Sequence, residues 1–442
     1  MNKWPISYLW LILLLVSTSA LADSKSASRP NIKVEGARFR AMQLAVPEFK
    51  MGSPDPRAKK VSQDILPVLR NDLGELSGVF RIVEPKSYNP NPQKEGIKKQ
   101  DIKFQDWTNV AAEGLVKAEI TVKADQIYVT AYFYQVALQK PSGAKTYSVP
   151  LTQTRMVAHK LADDAYEFFT GEKGHFSAKI AAVKETAGIK HIVTLDVDGQ
   201  NMRQVTRDAA LNLLPTFTPD DSLLYTSFDL KGNGYLYEIK LDGTQKKPIS
   251  TWEGLNMGAQ VSPDKMKLVL TLTKDGISQV YVTDRNGKNP SRISKQFGIE
   301  TSPYWSPDGK KLALVSARSG NPQVYTMNTD GTAPERVTFQ GNYNQTPRYS
   351  PKGDYIAFTG RDEENKFDVF LYDVKSKLIS RVTQGQGNNE DPWFLPNNNM
   401  LVFTSTRTGK REIFLSSLTG DYQKQITQGG QFWTPTCSPA SR

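Results

Sequence analysis

A proline-centred motif recurs at a nearly fixed interval through the C-terminal part of this 442-residue chain. In its fullest form it reads Ser-Pro-Asp-Gly, and the intervals between successive prolines are 44, 44, 44, 45 and 43 residues. The six prolines are Pro219, Pro263, Pro307, Pro351, Pro396 and Pro439. A period near 44 with strand-like content is typical of β-propeller blades.

Each repeat carries further marks of a small antiparallel sheet. Two apolar strands follow the proline motif, and a glycine then marks a tight turn at Gly199, Gly243, Gly287, Gly331 and Gly420. Asp or Asn precedes the first four of these glycines, as two-residue hairpin turns prefer. Each repeat closes on an Ile/Val-Ser/Thr pair, such as Val337-Thr338. With one strand ahead of the proline, the pattern predicts four strands per blade.

The number of blades follows from two incomplete repeats. Residues 180–206 have the later strands of a blade without its first strand, and Phe432 to Pro439 supply a first strand with nothing after it. We therefore predict a six-bladed propeller whose C-terminal strand closes the first blade, which leaves no unpaired strand edge between the first and last blades. The alternative is an open β-solenoid, in which the two incomplete repeats would stay unpaired.

The N-terminus predicts export. Lys3 precedes the apolar run Tyr8 to Val16, and Ala20-Leu21-Ala22 fits a cleavage site, so residues 1–22 are expected to be a signal peptide. The alternative is a retained anchor. The single cysteine, Cys437, excludes a disulfide within the chain. We expect a periplasmic protein that does not span the membrane, with a secreted extracellular protein as the alternative.

The net charge of +11 comes from scattered Lys and Arg residues. In an exported protein this pattern argues against nucleic acid and indicates solubility, with a mild bias toward acidic partners.

Residues 38–170 lack the repeat and predict a small α/β domain after a polar arm at residues 23–37. The domain is expected to contain helices at residues 60–76, 107–112 and 155–169. Strands are expected at residues 39–46, 79–83, 115–122 and 127–136, with Ala124-Asp125 at a turn. Residues 84–103 are expected to form a loop. The propeller is assigned to residues 171–442.

The sequence offers little for catalysis, so we expect no catalytic residue, no metal and no cofactor. There is no Gly-x-Ser-x-Gly nucleophile motif, and His159, His175 and His191 lack metal-ligand spacing. His159 is expected on the surface of a helix. Asp196-Val-Asp-Gly199 is expected to be a hairpin turn, although it resembles the start of a calcium loop.

The alternative function is a periplasmic lyase or hydrolase, or a sugar-binding lectin, with its site in the central channel. The residue pairs assigned to the innermost strands contain neither histidine nor carboxylate, which disfavours acid–base chemistry there. Loss of turnover on changing Arg348 would support the enzyme.

Three stretches resemble the TolB family, the periplasmic propeller proteins of the Tol–Pal envelope system. They are the junction Phe169 to Val183 (FTGEKGHFSAKIAAV), the repeat Pro303 to Ala313 (PYWSPDGKKLA) and the ending Trp433 to Pro439 (WTPTCSP). The order of signal peptide, arm, α/β domain and propeller is also similar. The fourth to sixth proline motifs depart from the family pattern.

The resemblance implies a non-enzymatic protein that links the peptidoglycan-associated lipoprotein Pal to TolA, for outer-membrane integrity and constriction during cell division. Pal is expected at the loop face of the channel, and colicins that exploit the system are expected to imitate the Pal contact there. The match to the family's contact loop is Thr301-Ser302-Pro303. By loop position, the expected Pal face contains Met257, Glu300, Thr301, Ser302, Tyr343, Asn344, Asn389, Glu390 and Trp433. In the arm, Ile32 and Val34 are the expected apolar anchors for TolA.

Overall fold

The computed structural model describes residues 40–88, 94–294, 298–361 and 364–439. The expected signal peptide (residues 1–22) and the expected arm (residues 23–37, with Ile32 and Val34) lie outside the described residues.

A mixed β-sheet forms the centre of the α/β domain. Its strands are β1 (Met42–Ala45), β2 (Lys50–Met51), β3 (Phe80–Ile82), β4 (Gly114–Lys123), β5 (Gln126–Gln135), β6 (Lys140–Pro141) and β7 (Lys145–Pro150). The order along the sheet is β3-β1-β4-β5-β6, with β2 beside β4 and β7 beside β5. The pair β1–β4 is parallel and β4–β5 is antiparallel, joined by a tight turn in which Ala124 has φ +50°. The predicted strands are therefore confirmed, whereas β2, β6 and β7 were not predicted.

The helices of this domain are α1 (Pro56–Asn71), α2 (Phe104–Asn109) and α3 (Thr154–Thr170). Asp55 caps α1 by accepting from the Arg57 amide, and Pro56 occupies the first turn, where its missing N–H does no harm. The helix continues through Pro67 and runs into a π-helical turn, Asp72–Leu76. Gly171, with φ +77°, ends α3. The second helix begins and ends three residues before its predicted bounds.

Six four-stranded antiparallel sheets form the propeller. The first blade contains β8 (Lys179–Thr186), β9 (Ile189–Asp196) and β10 (Arg203–Gln204). The next two contain β11 (Leu211–Phe217), β12 (Ser222–Phe228), β13 (Gly234–Lys240), β14 (Lys247–Ser250), β15 (Asn256–Val261), β16 (Lys267–Leu272), β17 (Gln279–Asp284) and β18 (Ser291–Arg292). The fourth and fifth contain β19 (Glu300–Trp305), β20 (Lys311–Ser316), β21 (Gln323–Asn328), β22 (Glu335–Arg336), β23 (Asn344–Tyr349), β24 (Tyr355–Arg361), β25 (Phe367–Asp373) and β26 (Ile379–Arg381). The sixth contains β27 (Asn389–Phe394), β28 (Met400–Ser405), β29 (Glu412–Ser417) and β30 (Gln423–Gln425).

The C-terminal strand β31 (Phe432–Cys437) closes the ring. It pairs with β8 of the first blade, with Phe432 opposite Lys184 and Cys437 opposite Ile180. Beyond it, the Lys179 amide donates to Ser438 Oγ at 2.9 Å. The predicted closure of the first blade by the C-terminal strand is confirmed.

The repeated residues hold turns and outer strands in place. Ser306 Oγ donates to Asp308 at 2.6 Å and accepts from the Lys311 amide at 2.9 Å, which fixes the turn between β19 and β20. The hydroxyl that closes a repeat accepts from the third strand: the Val324 amide donates to Thr338 Oγ1 at 3.0 Å. Equivalent bonds recur in four other blades, at Thr206, Ser294, Thr383 and Thr427.

One hydrophobic core joins the α/β domain to the first and last blades. It runs from α1 and α3 through Phe176 to strands such as β8 and β28. Buried His175 receives a contact from Asn397 Nδ2 at 2.9 Å, and burial lowers the pKa of His175 to about 3, so the ring is neutral. Lys424 also pairs with Glu75 at 2.7 Å. In the described ranges, none of the helices combines the length and apolar character needed to cross a bilayer.

Candidate functional site

The innermost strand of every blade bends at the same place. Five residues other than glycine take φ between +46° and +57° there, and Gly258 takes the equivalent position with φ +62°. The five are Leu214, Ser302, Thr346, Asp391 and Thr434. Pairing with the second strand of the blade shifts register at each position, as in a β-bulge. Such strained backbone concentrates at functional sites, so the ring of bulges marks the channel as a candidate site.

These bulges surround a cavity of about 90 Å³ on the propeller axis. A water molecule needs roughly 10–15 Å³ of such volume, so the cavity has room for several waters or a small ligand. All six innermost strands contribute to its wall, which includes Pro215, Met257, Thr301, Ser302, Pro303, Tyr304, Thr346, Arg348, Asp391, Pro392, Trp393 and Thr434.

Arg348 on β23 supplies the positive charge in this wall. Its guanidinium carbon lies 5.2 Å from the ring centre of Tyr304 and 5.1 Å from that of Trp393, both distances at which cation–π attraction operates. The two rings also meet edge to face, with centres 5.4 Å apart. Burial lowers the pKa of Arg348, but an arginine stays charged at physiological pH.

Asp391 on β27 supplies a carboxyl group to the same wall. Burial and, to a smaller extent, the nearby Glu390 raise the pKa of Asp391 to about 7, against the opposing effect of Arg348 and Arg411. Near neutral pH this carboxyl group is therefore a mixture of its charged and neutral forms. Sequence reasoning missed Asp391, because the pair assigned to the innermost strand of this blade, Trp393-Phe394, begins two residues beyond the bulge.

Three residues of the expected Pal face meet at the cavity. Met257, Thr301 and Ser302 line it and are partly exposed. Ser302 occupies the bulge of β19, with φ +54°.

Three other residues of the expected Pal face, Tyr343, Glu390 and Trp433, lie beside the cavity and are partly exposed. Tyr343 packs edge to face on Phe367, and Glu390 pairs with Arg411 at 2.7 Å. Arg411 and Lys190 both lie over the ring of Trp433. These side chains can therefore meet a partner without unfolding.

The remaining three expected face residues are buried in internal hydrogen bonds. Glu300 accepts from Ser316 at 2.7 Å and pairs with Arg318 at 2.5 Å. Asn344 and Asn389 bridge neighbouring blades by donating to Gln323 at 2.9 Å and to Asp368 at 2.8 Å. Their side chains hold the loops that carry the exposed residues.

A second polar cluster joins the α/β domain to the first blade, and it corrects the expectation for His159. This residue is buried, with 3% of its surface exposed, so its assignment to a helix surface was wrong. Its Nδ1 lies 2.6 Å from Asp72 and its Nε2 lies 3.4 Å from Asp196. Asp72 of the π-helical turn and Asp196 of the first blade cover this part of α3, which the helical pattern alone does not show.

Each aspartate of this cluster lies close to a histidine, arginine or lysine side chain. Burial would lower the pKa of His159, but bonds to Asp196 and Asp72 outweigh it and raise that pKa to about 9. Arg155 pairs with Asp196 at 3.0 Å and with Asp198 at 2.5 Å, and Lys179 also bonds Asp196.

Among the described residues, His159, Asp196 and Asp198 form a group that could hold a metal ion. The cationic side chains of Arg155 and Lys179 already neutralise the two carboxylates. Asp196 and Asp198 lie at the hairpin between β9 and β10, as predicted, where the Gly199 amide donates to the Asp196 carbonyl at 2.9 Å. The arrangement therefore connects two domains.

Comparisons with known proteins agree with this architecture. The family described as TolB amino-terminal domain matches residues 30–142, and the TolB beta propeller domain family matches residues 166–441. A crystal structure of TolB from Acinetobacter baumannii superposes with a TM-score of 0.78 and 24% identity, over 90% of this chain and 97% of that one, which supports the fold.

Curated relatives are named "Tol-Pal system protein TolB". The protein from Anaeromyxobacter dehalogenans (strain 2CP-C) is 35% identical over 217 residues, 49% of this chain and 48% of that protein. The protein from Geobacter sulfurreducens is 33% identical over 211 residues, 48% of this chain and 47% of that protein. The match thus spans about half the length of these relatives. Because the propeller family alone matches more than half of the chain, the chain belongs to the TolB family.

Proposed function

We propose that this protein is a non-enzymatic, periplasmic component of the Tol–Pal envelope system that links Pal to TolA, in support of outer-membrane integrity and cell division. The observation that carries the proposal is the ring of six bulges, which places Met257, Thr301 and Ser302 around one cavity on the propeller axis. Membership of the TolB family supports the assignment to this system.

The loops leading into the innermost strands suit protein binding. Trp252 precedes β15 and has 41% of its surface exposed, and Phe339 precedes β23 with 72% exposed. Exposed aromatic residues around a recessed centre are typical of binding hot spots. The loops are also held from behind by buried Glu300, Asn344 and Asn389, so a partner meets a surface that is already ordered.

The test is a calorimetric titration of purified Pal against the full mature chain and its Thr301→Arg variant. A long charged side chain at the cavity wall should block close approach, and we expect the affinity to fall by more than about tenfold, or roughly 1.4 kcal/mol. Ser291→Arg is the matched control, because Ser291 is exposed on the outermost strand β18 of the neighbouring blade. Equal affinity of all three proteins for Pal, at equal thermal stability, would contradict the proposed face.

The arm is tested separately. Deletion of residues 23–34 removes Ile32 and Val34, the apolar residues proposed to pair with TolA. We expect TolA binding to be lost and Pal binding to stay unchanged. TolA binding that survives the deletion would contradict the role of the arm.

A further inference from the structure

We propose that the cavity on the propeller axis binds a single carboxylate group, with Arg348 as its cationic partner. Two sources share this chemistry. One is a free small carboxylate, and the other is an Asp or Glu side chain of the protein that docks at the expected Pal face. The second source rests on the proposed function, whereas the first does not.

Arg348 has unused donors. A guanidinium offers five N–H groups, and within the described residues Arg348 directs one of them to a hydrogen bond, from Nη1 to the Pro347 carbonyl at 2.8 Å. Its Nε is buried and has no hydrogen-bond partner among the described residues. A buried donor without an acceptor is unfavourable, so the site favours a ligand that brings acceptor oxygens.

The aromatic neighbours hold the guanidinium but accept no strong hydrogen bond from it. The ring centres of Tyr304 and Trp393 lie within 5.2 Å of its carbon, and the Tyr304 hydroxyl is hydrogen-bonded to the Gln260 side chain. The rings therefore fix the position of Arg348 and leave its N–H groups available.

Asp391 is the carboxyl group in the cavity wall, yet no hydrogen bond joins it to Arg348 within the described residues. The charged groups around Asp391 are Glu390, Arg348 and Arg411, and burial is the main reason that its pKa lies near 7. When Asp391 is neutral, Arg348 is left without a counter-charge in this wall. A carboxylate from outside can then supply it.

The class of ligand follows from the charge and shape of the wall. A planar carboxylate matches the fork of a guanidinium and carries the one negative charge that balances it. A dianion would bring a second charge against Asp391. Thr434 offers a further donor, because its buried hydroxyl also lacks a partner in the described ranges.

The first experiment uses acetate as the probe. The thermal midpoint of the full mature chain is measured in sodium acetate and in sodium chloride at equal ionic strength, since a ligand that binds the folded state raises the midpoint. We expect acetate to raise it more than chloride does. Arg348→Gln should abolish that difference, and Arg336→Gln should retain it, because Arg336 lies on the outermost strand β22.

Asp391→Asn gives a gain of binding that a structural role of Arg348 would not produce. Asn tolerates the positive φ of this position, so the bulge is kept. At pH 8, about one tenth of Asp391 is in the neutral form that admits a carboxylate, so its replacement by neutral Asn should tighten acetate binding up to about tenfold.

The second experiment measures Pal binding to the Arg348→Gln variant. A loss of tenfold or more, beside unchanged binding by Arg336→Gln, identifies a side chain of the partner as the carboxylate. An acetate effect with unchanged Pal binding identifies a free carboxylate. If acetate and chloride act alike on the native chain and Arg348→Gln binds Pal as the native chain does, the carboxylate site is overturned. Failure of the native chain to bind Pal contradicts the proposed function instead. The acetate experiment then still decides whether the cavity binds a carboxylate.

Discussion

The backbone carbonyl of Ile426 lies directly against Gly199, so that a Cβ at residue 199 would come within 1.6 Å of the carbonyl oxygen. Ile426 closes the sixth blade and Gly199 forms the last hairpin of the first blade. Four other blade pairs repeat the contact, at Gly243, Gly287, Gly331 and Gly420, with distances of 2.0–2.7 Å. The glycine of one repeat and the Ile/Val of the preceding repeat are therefore one feature, the joint between neighbouring blades.

Gly199→Ala should lower the stability of the propeller by more than Gly188→Ala does. Both glycines have φ +81°, so each alanine brings about 1–2 kcal/mol of backbone strain. Only at Gly199 does the new methyl group collide with another blade, since nothing lies within 4 Å of it at Gly188. Urea unfolding of the two variants measures the difference. Equal destabilisation would mean that the blade joint adapts freely.

The blades could be predicted from the sequence because every repeat makes the same contacts again. Ser306 in the proline turn and Thr338 at the end of the repeat each accept a backbone hydrogen bond within their blade, so the 44-residue period carries the fold. Closure by β31 was predictable for the same reason, since two incomplete repeats add up to one blade.

The environment of single side chains could not be predicted in the same way. His159 follows the helical pattern of α3, but Asp72 and the first blade bury it. Asp391 was overlooked because the bulge inserts an extra residue and breaks the alternation of inward and outward side chains along β27. The first miss comes from packing between elements that lie far apart in sequence, and the second comes from a local irregularity of a single strand.

Replacement of His159 by Gln should loosen the contact between the α/β domain and the first blade. Buried Asp72 would lose its charged partner, and leaving one member of a buried ion pair alone costs about 3–5 kcal/mol. Thermal unfolding measures the loss. A matched change at the partly exposed Lys160 of the same helix, Lys160→Gln, should have little effect. A midpoint for His159→Gln equal to that of Lys160→Gln would show that the cluster contributes nothing to stability.

The same histidine predicts how stability depends on pH. Its pKa is raised from 6.5 to about 9 in the folded chain, so its contribution is complete below pH 6.5 and is lost as the pH rises through 9. Urea midpoints between pH 6.5 and 9.5 should fall for the native protein. Relative to it, His159→Gln should show a smaller decrease. Parallel curves for the two proteins would contradict the raised pKa.

Asn389 is expected to support the loops of the expected Pal face without contacting Pal itself. Its amide nitrogen donates to Asp368 in the neighbouring blade, and its amide oxygen accepts from Arg407 at 2.9 Å. Asn389→Ala should therefore lower the free energy of unfolding by about 1–3 kcal/mol, because buried polar partners are left unpaired. Pal affinity measured well below the unfolding midpoint should change less than it does for Thr301→Arg. A variant of native stability with weakened Pal binding would instead place Asn389 in the contact.

Cys437 reports whether β31 leaves the first blade. Burial raises the pKa of this thiol well above its usual range, and because the thiolate is the reactive form, a thiol reagent should label the folded protein slowly. Ser438→Ala removes the hydroxyl that accepts from the Lys179 amide next to Cys437. Loss of about 1 kcal/mol at this strand end should raise the labelling rate roughly fivefold. Ser142→Ala removes a similar hydroxyl, which accepts from the Phe133 amide in the α/β domain, and should leave labelling unchanged. If Ser438→Ala labels no faster than this control, the reagent reaches Cys437 by a route other than release of the closing strand.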